Sequence, residues 1–321
     1  MTTPLYILSA QHVSKRYANH TALDDVSIQI PKGSIFGLLG PNGAGKTSLI
    51  RIITQITAPD KGEVFFKGEP LAPKHIAHIG YLPEERGLYK KMKVGDQLLY
   101  LARLKGLSKD AAMEKLKEWF KRFEIQTWWG KNVEDLSKGM AQKIQFVATV
   151  LHEPELLILD EPFTGFDPVN ANLIKDEILK LRDKGCTIIF STHRMESVEE
   201  LCDNIALIDK SRKILDGPTK QIKNQYKTNT YVVEGEGKLV SLPSQFDIRS
   251  MQELEDNFFK AIIRLPQGVL PNQLIEVLIG QVQVHSFVEH IPSMNEIFIR
   301  NVTGRVDPLP SEERYKLSQT M

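Results

Sequence analysis

Residues 40–47 read Gly40-Pro41-Asn42-Gly43-Ala44-Gly45-Lys46-Thr47 and fit the pattern G-x-x-x-x-G-K-[ST]. They follow the apolar run 35–39 and precede the apolar run 49–53, which is the order of strand, loop and helix that this pattern requires. Glycines let backbone N–H groups converge on phosphate oxygens, and the start of a helix adds a favourable dipole. A glycine-rich turn that binds nothing is the alternative, but the flanking elements favour a phosphate-binding loop.

This loop also supplies the side chains that a nucleotide with Mg²⁺ needs. Lys46 can neutralise the β- and γ-phosphates, and the hydroxyl of Thr47 can bind the metal ion. We therefore predict that the bound nucleotide is contacted by seven consecutive residues, namely Asn42, Gly43, Ala44, Gly45, Lys46, Thr47 and Ser48.

A second motif consists of an apolar strand that ends in two carboxylates, Leu156-Leu157-Ile158-Leu159-Asp160-Glu161. Asp160 is predicted to support Mg²⁺, and Glu161 to polarise the water that attacks the γ-phosphate. Two acids at a strand end are commonly solvated turn residues. Here the phosphate-binding loop already requires an acid that holds the metal, so the functional interpretation is favoured.

Short β-rich runs alternate with helical runs over residues 5–226, which is typical of an α/β protein. Between residues 94 and 151 the strand signal disappears, and the sequence predicts a helical subdomain. We assign residues 1–226 to one domain. Its predicted strands cover residues 34–39, 62–66, 78–82, 156–160, 187–191 and 204–208.

The sequence changes character after Tyr226, where the polar stretch 227–230 is predicted to be a linker. Residues 231–303 are predicted to form a small α+β domain, and residues 304–321 a flexible tail. The predicted strands are 231–233, 246–249, 259–265 and 282–288, and the helices are 272–280 and 293–301.

The composition excludes several classes of protein. Lys and Arg number 41 against 40 Asp and Glu, so the net charge of +1 gives no basic excess for nucleic acid. Cys186 and Cys202 cannot build a disulfide framework or a four-thiolate zinc site. The first ten residues lack the charged start of a secretory signal, and no apolar run reaches the ~20 residues of a membrane helix. We expect a soluble, cytoplasmic chain whose membrane role depends on a partner.

Several ordered motifs resemble the nucleotide-binding subunits of ABC transporters, over residues 5–226. Tyr17 occupies the place of the aromatic residue that stacks on adenine in that family. Residues 136–140, with Ser137 and Gly139, occupy the place of the signature motif. Asp167 in the stretch 164–168 looks like the D-loop, and His193 looks like the switch histidine that contacts the γ-phosphate.

This resemblance implies a P-loop ATPase that binds ATP and Mg²⁺. The phosphate-binding loop and the strand that ends in two carboxylates correspond to the Walker motifs of the family. In the family, the signature of one subunit closes over ATP held by the Walker motifs of another. Since one chain carries one copy of each motif, the resemblance implies a homodimer or a heterodimer with a related ATPase. It also implies an integral membrane permease as partner, with the chain on the cytoplasmic face of the cell membrane.

Two departures from the family pattern concern residues near the phosphates. The signature has Lys138 and Met140 where glycine and glutamine are usual. Glu84 stands at the Q-loop position, where glutamine is expected. We predict Glu84 as a third catalytic residue beside Glu161 and His193, and as a ligand of Mg²⁺ with Thr47 and Asp160. The alternative is that Glu84 points away from the phosphates until the coupling partner engages. Without the metal, a carboxylate at ~4 Å from a like charge costs roughly 4 kcal/mol at an effective dielectric of about 20.

Residues 80–89 and 292–298 are similar to the branch that includes sodium-extrusion and related exporter ATPases. The preferred function is therefore an ATP-hydrolysing subunit of an exporter. One alternative is a soluble ABC ATPase that acts on nucleic acid or ribosomes, although the helical segment is too short for a long coiled-coil arm. The other alternative is a regulatory nucleotide sensor with little turnover. A sensor needs neither the water-polarising acid Glu161 nor the γ-phosphate switch His193. We expect no nucleic-acid partner.

Overall fold

The computed structural model describes residues 5–85 and 87–304. These residues divide into two units, the first ending at Thr219 and the second beginning at Lys220. The division precedes the predicted domain end at residue 226. The predicted tail lies outside the described residues from residue 305 onward.

Ten strands belong to the first unit, and they form two sheets. One sheet is antiparallel with the order β2-β1-β4-β5, and the other has the order β10-β9-β3-β8-β7-β6. The strands are β1 (Tyr6–Tyr17), β2 (His20–Pro31), β3 (Ile35–Leu39), β4 (Lys61–Phe66), β5 (Glu69–Pro70), β6 (Ile79–Leu82), β7 (Leu156–Asp160), β8 (Thr187–Thr192), β9 (Asn204–Asp209) and β10 (Arg212–Pro218).

The second of these sheets is parallel from β9 to β6, and only its edge strand β10 runs antiparallel. Strands β3, β7 and β8 are buried at every position, because both faces of the sheet are covered. Their continuous apolar sequences follow from this burial. All the carboxyl ends of the parallel strands lie at one edge, which is where a binding site forms in such folds.

Six helices accompany these sheets. Helix α1 inserts Leu49, Ile50, Ile52 and Ile53 into a core shared with both sheets, so the start of α1 is rigidly held. Helices α2, α3 and α4 occupy the predicted helical subdomain, where α2 packs on α3 and α4. The helices are α1 (Lys46–Ile53), α2 (Val94–Leu104), α3 (Lys109–Arg122), α4 (Lys138–Val150), α5 (Pro168–Asp183) and α6 (Met195–Leu201).

The second unit is a four-stranded antiparallel sheet with the order β12-β13-β11-β14. Helix α7 (Thr219–Gln225) begins at the division between the units, and α8 contributes Leu274 and Leu278 to the core under the sheet. The remaining elements are β11 (Thr230–Glu236), β12 (Asp247–Glu253), β13 (Phe258–Arg264), α8 (Pro271–Ile279), β14 (Gln283–Glu289) and α9 (Met294–Thr303).

Each predicted strand and helix corresponds to an observed element, with ends that differ by a few residues. The sequence did not predict β1, β2, β5 or β10, and it did not separate the strand at residues 62–66 from the parallel sheet. That strand is β4, which pairs antiparallel with β1. None of the helices in the described ranges combines the length and the apolar character that crossing a bilayer requires.

Candidate functional site

Four neighbouring strands bring the predicted catalytic motifs together. In the order β3-β8-β7-β6 the strands are parallel, so their carboxyl ends meet at the same edge of the sheet. The phosphate-binding loop follows β3, His193 follows β8, and Glu161 follows β7. Glu84 lies in the loop after β6.

The phosphate-binding loop depends on glycine where the backbone is left-handed and crowded. Gly45 has φ +117°, and a Cβ there would lie 2.2 Å from the carbonyl oxygen of Ala22. Gly43, with φ +79°, faces open space. Asn42 and Thr47 are exposed, so a ligand can reach both side chains. The loop is therefore fixed on its inner side and open on its outer side.

Lys46 is buried and bends back over its own loop. Its Nζ donates to the carbonyl oxygens of Gly40 at 2.7 Å and Pro41 at 3.1 Å. Burial lowers the pKa of Lys46, while the charges of Glu161, Asp160 and Glu84 act in the opposite direction. These four groups thus share one electrostatic environment.

Asp160 is 5% exposed at the end of β7, and burial raises the pKa of this carboxyl. The like charges of Glu84 and Glu161 push its pKa in the same direction. A buried carboxylate of this kind gains from a nearby cation. Opposite Asp160 in the β7–β8 pairing lies Ser191, whose buried hydroxyl acts as a hydrogen-bond partner and shifts the pKa of Asp160 in the opposite direction.

The donor set fits Mg²⁺. Thr47, Asp160 and Glu84 offer the hard oxygen donors that Mg²⁺ prefers. In the described ranges no three His, Cys, Asp or Glu side chains group to hold a metal by themselves. Such an arrangement suits Mg²⁺, which proteins usually bind with one or two carboxylates plus substrate phosphates.

Glu161 is held in place by the end of β8. Its Oε1 accepts the backbone N–H of His193 at 2.9 Å and lies 2.7 Å from His193 Nδ1, and its Oε2 accepts the Thr192 hydroxyl at 3.2 Å. Glu161 has φ +50°, a left-handed backbone that side chains rarely adopt. The bend turns the carboxylate toward β8, where His193 remains exposed beside it.

The loop that carries Glu84 is hydrogen-bonded to a residue of α4 that the sequence analysis did not identify. Gln145 of α4 is 6% exposed, and its Nε2 donates to the carbonyl oxygens of Glu85 at 3.3 Å and Pro83 at 3.5 Å. Glu84 itself is exposed between these two residues. The sequence feature that could have identified Gln145 is a glutamine on a mainly apolar helix face.

The signature residues lie at the start of α4. Ser137 caps this helix, is exposed, and accepts the backbone N–H of Met140 at 3.3 Å. Among the described residues, no hydrogen bond or ion pair joins Ser137 or Gly139 to the chain's own phosphate-binding loop. The chain therefore presents its signature to the outside rather than to its own Walker motifs.

The predicted D-loop lies against this same helix start. A Cβ at Gly165 would lie 2.3 Å from Cε of Lys138, and Gln142 donates to the carbonyl oxygen of Thr164. Asp167 caps α5, and the backbone N–H of Asn170 lowers the pKa of its carboxyl. The structure thus links the signature and the D-loop within one chain.

Tyr17, the predicted adenine-stacking residue, is the last residue of β1 and is 39% exposed. It lies beside Lys15, which pairs with Asp60. Neither Lys15 nor Asp60 was predicted to belong to the site. Nothing in their local sequence pattern could have paired residues 45 positions apart.

Two family models cover both units of the chain. The model described as "ABC transporter" matches residues 23–164, and that described as "ATP-binding protein DrrA1-3-like, C-terminal domain" matches residues 217–302. A third, "AAA domain, putative AbiEii toxin, Type IV TA system", matches residues 131–199 within the first unit.

Named relatives are similar over most of the chain. It is 42% identical over 297 residues to the uncharacterized ABC transporter ATP-binding protein YhaQ of Bacillus subtilis (strain 168), covering 92% of this chain and 98% of that protein. It is 34% identical over 219 residues to the Nod factor export ATP-binding protein I of Cupriavidus metallidurans, covering 67% and 72%. A solved "ATP binding subunit of ABC transporter" superposes with a TM-score of 0.65 at 29% identity, covering 68% of this chain and 93% of that one.

Proposed function

The chain belongs to the family of ABC transporter ATP-binding subunits, which are ATPases, and on that premise we propose that it works as one of two subunits that close over ATP and drive an exporter. The predictions of an α/β P-loop ATPase fold and of an ATP-hydrolysing transporter subunit are confirmed. The individual residue roles, Mg²⁺, the dimer and the direction of transport belong to the proposal.

One arrangement carries the catalytic part of the proposal. The buried Glu161 carboxylate is oriented by Thr192 and His193 at the same sheet edge as Lys46 and Asp160. A positioned carboxylate beside a cation and a metal-ligating acid is what in-line attack of water on a phosphate requires.

In the reaction, a water oxygen attacks the γ-phosphorus, and the bond to the oxygen that bridges the β- and γ-phosphates breaks. Glu161 accepts the proton of the attacking water, and His193 contacts the γ-phosphate. Lys46 leaves the carbonyl groups of Gly40 and Pro41 to neutralise the β- and γ-phosphate oxygens. When bound, Mg²⁺ held by Thr47, Asp160 and Glu84 neutralises charge on the phosphates.

The dimer part of the proposal follows from the signature. Ser137 and Gly139 at the start of α4 offer a hydroxyl and backbone donors to an anion that approaches from outside. ATP bound by the Walker residues of one chain then contacts Ser137, Gly139 and Asp167 of the second chain. Tyr17 stacks on the adenine. A related ATPase can take the place of the second copy.

ABC transporter ATP-binding subunits pair with membrane permeases, and we infer that this chain serves an exporter at the cytoplasmic face of the membrane. The Cupriavidus relative is named for Nod factor export, which supports the direction but not the substrate. The rival function, action on nucleic acid or ribosomes, receives no support from the net charge of +1.

Copurification tests the proposal. The tagged chain is recovered from detergent-solubilised membranes, and we expect an integral permease to accompany it. Recovery with nucleic acid or ribosomes instead would contradict the transport function. In the same preparation Glu161→Gln should abolish hydrolysis while ATP binding persists. Glu63→Gln, which neutralises an exposed carboxylate on β4, should leave hydrolysis unchanged.

A further inference from the structure

Lys15 and Asp60 lie beside Tyr17 and form a small clamp at the end of strand β1. Asp60 lies in the segment before β4 and reaches across to β1 with both carboxylate oxygens. Its Oδ1 accepts from Lys15 Nζ at 2.8 Å, and its Oδ2 accepts the backbone N–H of Arg16 at 2.7 Å. The backbone N–H of Asp60 in turn donates to the carbonyl oxygen of Ser14 at 2.9 Å.

These contacts fix three successive residues before Tyr17 to one aspartate. On the other side, the backbone of Tyr17 pairs with His20 across a tight turn. Hydrogen bonds from N–H donors bring down the pKa of Asp60, with Lys15 making the largest contribution. These hydrogen bonds favour the charged form of the Asp60 carboxyl.

The ammonium group of Lys15 also lies 5.5 Å from the centroid of the Tyr17 ring. Its side chain is only 13% exposed, whereas the Tyr17 residue is 39% exposed. One face of the ring is thus occupied by a cation that is itself tied to Asp60, and the ring keeps surface free for a second flat group. A cation near an aromatic face is attracted by the negative charge of the π-system.

We propose that Lys15 and Asp60 are positioning residues for the nucleotide base. They hold the Tyr17 ring in one orientation, and the cation on one face makes the ring a better partner for an electron-rich purine on the other. This inference rests on the proposed stacking of adenine on Tyr17. It adds two residues that bind no part of ATP directly but determine how much the base contributes to affinity.

The test separates the base from the phosphates. Titration calorimetry compares ATP with inorganic tripolyphosphate, which lacks a base, in the full chain with Mg²⁺. Lys15→Met should weaken ATP binding about 3- to 10-fold and leave tripolyphosphate binding within about 2-fold. Lys15→Arg, which keeps a cation over the ring, should restore most of the ATP affinity. Asp60→Asn should show the same selective loss to a smaller extent.

Asp216→Asn is the matched control, because Asp216 pairs with Lys213 at 2.9 Å with similar exposure in the same unit. It should leave both affinities unchanged. Tyr17→Ala distinguishes the possible failures. If Tyr17→Ala weakens ATP binding and Lys15→Met does not, the positioning role is wrong and the stacking stands.

An unchanged ATP affinity in Tyr17→Ala would overturn the stacking and the inference that rests on it, without touching the phosphate site. Equal losses for ATP and tripolyphosphate in Lys15→Met would show a general structural role, and would also overturn the inference.

Discussion

Individual residues of the site include three carboxylates whose like charges repel one another, and one lysine, Lys46, lies among the groups that act on them. The charges of Glu161, Asp160 and Glu84 act on Lys46. Burial and the charges of both glutamates raise the pKa of Asp160. A third carboxylate at the position of Glu84 increases the need for a divalent cation when a triphosphate binds. We propose that Glu84 makes nucleotide binding by this chain depend on Mg²⁺ more strongly than a glutamine at that position would.

Glu84→Gln should increase the affinity for ATP in the absence of Mg²⁺, by between about two- and tenfold, because one like charge near the phosphates is removed. With saturating Mg²⁺ the difference should shrink, since the metal compensates the carboxylate. Calorimetric titration with EDTA or with Mg²⁺ measures both. Glu85→Gln, which changes the neighbouring exposed carboxylate, serves as control. Equal affinities in Glu84→Gln and the unmodified chain under both conditions would refute the role of Glu84.

His152 provides a pH-dependent prediction away from the site. Burial, helped by the charge of Lys105, lowers the pKa of His152 from 6.5 to about 4, although a backbone hydrogen bond at Ile79 acts in the opposite direction. A lowered histidine pKa stabilises the fold above pH ~6.5, and this contribution is lost as pH falls toward 4. The loss amounts to roughly 3 kcal/mol for a shift of this size.

His152→Leu should therefore flatten the decline in urea stability between pH 6.5 and 4. Tryptophan fluorescence reports the first unit, since Trp119, Trp128 and Trp129 all lie in it. His20→Leu, at an exposed position, should keep the decline of the unmodified chain. A decline that His152→Leu does not change would show that this histidine is not responsible.

The position of a site residue could be predicted from the sequence wherever a motif was contiguous. Lys46, Asp160, Glu161 and His193 follow strands whose parallel order brings them to one edge, so spacing and order were enough. Gln145 could not be found in this way, because its contacts with Pro83 and Glu85 join residues about 60 positions apart. The left-handed backbone of Glu161 is likewise a result of the tertiary structure.

Among the elements, most strands of the antiparallel sheet could not be predicted from the sequence. Register shifts interrupt the pairing of β1 with β2, and His12 and Asp25 adopt positive φ values of 53° and 54°. Such bulges break the alternation of apolar and polar residues on which strand prediction depends. β10 was missed because it ends in Asp216, Gly217 and Pro218, residue types that strands disfavour.

An ion pair between two helices gives a prediction at this scale. Glu177 of α5 has a side chain that is 1% exposed, and it pairs with Arg122 of α3 at 2.9 Å and with Lys180 at 2.8 Å. Arg122→Met should lower the free energy of unfolding by about 2 kcal/mol, because a buried carboxylate loses one of its two cations. Urea unfolding measures the change.

Lys175→Met is the control, because its partner Glu200 is 58% exposed, and it should cost less than about 1 kcal/mol. The double variant Arg122→Met with Glu177→Met should recover part of the loss. If the double variant is less stable than Arg122→Met alone, packing rather than charge burial explains the effect.

At the scale of the whole molecule, the chain carries one set of Walker motifs and one exposed signature. Ser137 faces outward from the helical subdomain, while the γ-phosphate residues lie at the sheet edge of the same unit. We propose that a second chain completes the site around the ATP that one chain holds. The small second unit has a core of its own.

Ser137→Arg should leave ATP binding by the single chain within about 2-fold, because no hydrogen bond within the described ranges joins Ser137 to the phosphate-binding loop of its own chain. Turnover should fall more than about 10-fold, since the second chain can no longer approach the phosphates. Ser108→Arg is the matched control. Ser108 also caps a helix of this subdomain, is exposed and accepts a backbone N–H at 3.2 Å, so both variants lose one helix cap, worth about 1 kcal/mol.

The most direct measurement follows ATP turnover per chain against chain concentration, with the molar mass determined in the same sample at saturating ATP and Mg²⁺. We expect turnover per chain to rise as dimers form, and Glu161→Gln to accumulate as an ATP-bound dimer of twice the 36.4 kDa chain. Full turnover at every concentration by a chain that stays monomeric would contradict the account.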